Sequence, residues 1–155
     1  MKIARPLVAL SGLAAALIAF TPAAQAAATT PWGPSYAPGH AAKALGTLTA
    51  SGEDHADIPA ADTVKITGKL TDSTRATSTC GWAVFRITYR DSSNNLPFKH
   101  HSVRDCSYGT PKRFSFSHHD VYQVELKVCA QPSGATRPSD TCLYAGTWKV
   151  LYLSK

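Results

Sequence analysis

The chain has 155 residues, 44% of them hydrophobic, with 16 Lys and Arg against 10 Asp and Glu and four cysteines. That length suits one domain with a real core. The net charge of +6 is spread without runs of like sign, which is too weak a balance to argue for nucleic acid and fits anionic surfaces or acidic partners in general.

Residues 1–26 have the pattern of a secretory signal peptide. Lys2 and Arg5 precede an apolar stretch from Leu7 to Phe20, and Ala24-Gln25-Ala26 follows as a small-x-small cleavage site. Its removal takes away two cations and lowers the charge to +4. The apolar stretch is too short to be a good membrane span and no second one follows. The expectation is therefore a secreted, extracellular protein with no membrane and no nucleic-acid partner. Cys80, Cys106, Cys129 and Cys142 all lie beyond the cleavage site, and an even number in an exported chain implies two disulfides. The Cys-x-x-Cys spacing of redox and zinc sites is absent.

Residues 27–44 hold Pro31, Pro34 and Pro38 with Gly33 and Gly39, a composition that opposes a regular ladder or helix. This segment reads as an extended arm ahead of a β-domain spanning 45–155. Its two rings, Trp32 and Tyr36, have little use in a linker. They either fold back on their own domain or serve as partner-binding anchors, and the second reading makes them the candidate site.

Beyond the arm, the chain alternates in the manner of strands. A short strand is expected at 45–50 and an acidic loop at 51–61. A strand over 63–71 places Val64, Ile66 and Leu70 on one face and Lys65, Thr67 and Lys69 on the other. The run 80–90 is the most apolar: Phe85, Ile87 and Tyr89 share one face, while Trp82 and Val84 make the other face apolar as well, so its front end is expected to be covered on both sides. Turn formers at 91–97 lead to a return strand at 98–106, which sets Cys80 opposite Cys106. Short strands at 113–117 and 122–128 follow. A hairpin about Gly134 and Ala135 brings Cys129 near Cys142, where a last strand begins, with Trp148, Val150 and Tyr152 on one face. Short strands at this spacing predict an all-β, antiparallel immunoglobulin-like sandwich.

The search for chemistry returns little. There is no Gly-x-Ser-x-Gly elbow and no cysteine left unpaired, and His118 and Asp120 have no evident serine. Nearly all the acidic residues fall in loops or at strand ends and read as solvated surface rather than a glycosidase pair. The doublets His100-His101 and His118-His119 offer one ligand per face each, with Asp105 or Asp120 as a third; that is the best metal candidate, and no HxH or HExxH spacing supports it. Tyr108, Tyr144 and Trp148 are candidates for stacking on a sugar, against the ordinary reading as core. The loop 131–141 is the segment an inhibitor of proteases would expose. No catalytic residue, cofactor or metal is assigned.

The signal peptide, the Pro/aromatic arm, the Gly46-Thr-Leu strand, Thr63-Val-Lys-Ile-Thr-Gly-Lys-Leu70, Cys80-Gly-Trp82, and Val128-Cys129 with Cys142 resemble small secreted actinobacterial proteins, above all the small adaptor subunit of the umbrella toxin particles of streptomycetes. The resemblance implies a non-catalytic protein that ties a repeat-bearing toxin subunit to a lectin-like subunit. It also implies that the arm at 27–44 enters a cleft of the lectin-like subunit and that the β-domain grips a repeat by strand pairing.

Overall fold

A computed structural model describes residues 27–155; the signal peptide expected at 1–26 lies outside the described residues. The fold is one antiparallel seven-stranded sheet. β1 spans Ala28–Tyr36, β2 Ala42–Glu53, β3 Ala61–Asp72, β4 Thr79–Tyr89, β5 Phe98–Asp105, β6 Lys112–Pro132 and β7 Lys149–Leu153. The order is β1-β2-β3-β6-β4-β5, with β7 also paired to β6. A five-residue α-helix, α1 (Asp140–Tyr144), precedes β7, and a 3-10 turn at Pro38–His40 joins β1 to β2.

β6 organises the sheet. Its first half pairs with β3 and its second half with β4, so one 21-residue strand belongs to both halves. Two separate strands are expected here from the polar break His118-His119-Asp120. The backbone instead runs through it, with Asp120 in the left-handed region (φ 55°) and a register shift opposite Thr88 and Tyr89. The shift inserts a residue, and this moves both Val121 and Val124 onto the core face.

The inner faces of the two halves meet around Phe85. Its ring lies 5.7 Å from Phe114 and 5.1 Å from Phe116, both edge-on, and 5.8 Å from Trp32. β4 is buried on both faces at its front, as its sequence requires. Ala83, Phe85 and Ile87 enter the main core, while Trp82 and Val84 pack with Cys129 and Cys142 beneath α1.

The expected arm is an edge strand of this sheet. β1 pairs with β2 from Ala28↔Ala50 to Tyr36↔Lys43, skipping register between Trp32 and Ser35, where Gly33-Pro34 interrupts the ladder. Trp32 is 6% exposed and stacks on Phe114 at 6.3 Å. Its seat is made by two glycines in register: a Cβ on Gly46 would lie 2.7 Å from the indole, and one on Gly68 would lie 2.9 Å from it. Filling this gap with a ring of that size is worth about 3–5 kcal/mol, judged by the usual cost of truncating such a residue.

The disulfides join Cys80 to Cys106 and Cys129 to Cys142, the expected neighbours. The second differs in setting. Cys142 is in α1, whose N-terminus is capped by Ser139 Oγ accepting from Cys142 N, and the last strand begins only at Lys149. The bridge therefore ties a strand to a helix rather than closing a hairpin.

Candidate functional site

The four cysteines are all accounted for in the two bridges, which places the chain in an oxidising setting. Among the described residues no helix is long and apolar enough to cross a membrane.

The histidine doublets come together only in part. His101 and His118 approach to 5.9 Å between ring centroids, and His101 stacks on Phe116 at 3.7 Å. His100 stacks instead on Trp148, and His119 Nδ1 lies within hydrogen-bond distance of Thr63 Oγ1 and the Asp62 carbonyl. Asp105 is used elsewhere, accepting from the backbone N–H groups of Asp72 and Ser107. Among the described residues no three metal-binding side chains gather. Three carboxylates read as surface are in fact buried. Asp72 caps the turn at Thr74, Asp105 does the same at Ser107, and Glu125 accepts from Arg86 at 2.6 Å.

The three rings considered for sugar stacking are separate. Trp148 already has His100 stacked parallel to it and the cations of Arg86 and Lys127 over its ring at 4.8 and 4.7 Å. Tyr108 accepts a hydrogen bond from Arg75 Nε, and Tyr144 projects from α1, 74% exposed. Loop 131–141 is held down rather than presented: Arg104 Nη1 donates to the Ala135 carbonyl at 2.6 Å and Ser139 N donates to Gln131 Oε1.

The two rings of the N-terminal segment part company. Trp32 is spent in the core. Tyr36 is 46% exposed and lines a groove of about 870 Å³. One wall of the groove is the segment Pro34–Pro38, the opposite wall runs from Ser139 to Lys149, and the backbone of β6 from Leu126 to Pro132 lies between.

That stretch of β6 is half-paired. It runs in register with β4 as far as Thr79↔Pro132, but β7 pairs with β6 only from Gln123 to Leu126. From Lys127 to Gln131, no backbone hydrogen bond outside the β4 ladder is made among the described residues. The chain leaves this edge because it turns through α1 before β7 starts. An edge of this kind carries N–H and C=O groups with no strand partner.

Polar side chains line both walls of the groove, and one of them is unsatisfied. Ser35 Oγ is buried without a hydrogen-bond partner. Lys127 Nζ donates to the Leu143 and Ala145 carbonyls at 3.0 and 2.8 Å, bracing the far wall. Lys149 is exposed, and no Asp or Glu lines the groove. The Cys129–Cys142 bridge forms part of the lining. Sequence reasoning reached Tyr36 but not the groove, because the edge exists only through the absence of a strand beside it.

No protein-family model matches the chain, no curated protein matches it significantly, and no solved structure does.

Proposed function

We propose that this protein is a secreted, non-catalytic adaptor built on an immunoglobulin-like two-layer sandwich, and that it takes an extended segment of another secreted protein into the groove beside Tyr36. The observation that carries this reading is the stretch of β6 at 127–131, paired with β4 on one side and open on the other, lying along a groove of about 870 Å³. A guest strand there gains main-chain hydrogen bonds that the edge lacks, while the two walls select its side chains. At about 3.3 Å per residue the open stretch accommodates some five or six residues of guest. Tyr36 supplies an amphipathic ring at the rim, the residue type that anchors interfaces. The likeness to umbrella-particle adaptors supports the same kind of role: linking a repeat-bearing toxin subunit and a lectin-like subunit of an extracellular antibacterial assembly. In this reading Trp32 holds the wall in place and Tyr36 meets the partner.

The test is recovery of secreted proteins from culture supernatant on immobilised wild type, Tyr36→Ala and Thr147→Trp, the last placing a bulky ring in the groove from an exposed wall position. A partner captured by wild type and lost on both variants, with melting temperatures unchanged, is the expected result. Equal capture by all three overturns the groove as the binding site.

A further inference from the structure

The outward face of β1, β2, β3 and the first half of β6 is hydroxyl-rich and basic. Thr29 and Thr49 share a hydroxyl hydrogen bond of 2.8 Å across one pair of strands, and Thr47 and Thr67 share another of 2.8 Å across the next. Ser115 and Ser117 continue those rows on β6. Four cations stand among them: Lys43, Lys65, Lys69 and Arg113. No Asp or Glu occupies an outward position in these rows between Lys43↔Thr71 and Thr49↔Lys65. The ion pairs found among the described residues, Arg86–Glu125 and Arg90–Asp54, are elsewhere.

Lys69 and Arg113 are direct cross-strand partners. Like charges directly opposite on a sheet destabilise it, and here no acid relieves them. Both residues border a dent of about 310 Å³ that also includes Thr47, Thr67 and Leu45. Lys65 is four residues along β3 from Lys69, roughly 13 Å at strand spacing. An anionic group at the Lys69–Arg113 pair removes the repulsion, and a chain running along β3 meets a second cation after a stretch of hydroxyls.

We infer that this face binds an acidic polysaccharide, a linear chain whose carboxylates meet the cations and whose hydroxyls meet the Thr and Ser rows. Apart from Tyr36 at the rim the face has no outward Phe, Tyr or Trp ring. It therefore lacks the stacking platform that single-stranded nucleic acid uses. The inference is independent of the groove, which lies beside the other end of β6.

The experiment measures retention of the purified protein on immobilised polygalacturonate, on a neutral glucan and on duplex DNA, at low and high salt, for wild type, Lys69→Glu and Lys99→Glu. Wild type is expected to hold to polygalacturonate at low salt, to release at high salt and to pass the neutral glucan. Lys69→Glu is expected to weaken that binding about tenfold while raising the melting temperature, because it sets a carboxylate opposite Arg113. Lys99→Glu makes the same change in net charge away from the face and should bind as wild type does. Failure of wild type to bind polygalacturonate, equal losses in both variants, or duplex DNA held as tightly as polygalacturonate overturns the assignment.

Discussion

His118 is placed where a proton is costly. It follows Phe114 and Phe116 on the inward side of β6, against His101 of β5, and its Nε2 is buried with no partner. Burial, with the charges of Lys99, His101 and His119 nearby, holds its pKa down to about 4. A group whose folded pKa lies below its ordinary value takes its proton first in the unfolded chain, so it withdraws stability as pH falls from about 6.5 toward 4. Asp54 is depressed to about 2, by Arg90 first, and acts only at more acid pH. The melting temperature should therefore drop between pH 7 and pH 4.5, and His118→Phe should remove the largest single part of that drop in calorimetry at the two pH values. Persistence of the full drop in the variant would locate the effect elsewhere. The same scale explains the contrast between Trp32 and Tyr36. Composition around them reads as an arm because prolines oppose regular structure, yet one edge strand tolerates them. The clue to Trp32 is Gly68, a glycine at an inward position of an otherwise regular apolar alternation, which marks a place where something bulky comes close.

Elements were legible where the pattern that specifies them is local. The alternation of Val64, Ile66 and Leu70 specifies β3, and the doubly apolar front of 80–90 specifies a strand covered on both sides. The failures are at joints. The polar trio at 118–120 looks like the end of a strand, but pairing with β3 on one side and β4 on the other carries the backbone through it. α1 is too short to show a helical period, and its sequence mark is Ser139-Asp140, a capping residue followed by an acid in the first turn. This helix is held by one bridge. Cys129→Ser with Cys142→Ser should lower stability by about 3 kcal/mol, the chain-entropy value for a loop of this length, and should loosen the groove wall that α1 and Lys127 support. Denaturant unfolding measures the first effect, and faster amide exchange over 139–147 measures the second. Slow exchange there after loss of the bridge would show that Lys127 suffices.

At the scale of the molecule, the class of fold was readable and the site was not. Alternation and turn residues announce an antiparallel all-β chain, since each strand carries its own two-residue period. Which edges remain open depends on strand order, and strand order is a non-local property. β6 has partners along its length on both halves of the sheet, whereas β1 and β5 have one neighbour each. Amide exchange should accordingly be slowest in β3, β4 and the middle of β6, and distinctly faster in β1, β5 and β7. Uniform protection across all seven strands would contradict this arrangement.

The indole of the first strand rests where two adjacent strands carry no side chain, and this binds three distant positions into one heritable unit. Sequence drift that enlarges position 46 or 68 leaves no room for the ring, and drift that shrinks position 32 leaves a hollow over bare backbone. In an alignment of descendants an indole at 32 should occur only with glycine at both 46 and 68, and both should stay glycine even where 32 shrinks, since a Cβ there would also meet the carbonyl oxygens of Thr67 at 2.0 Å and Leu45 at 2.8 Å.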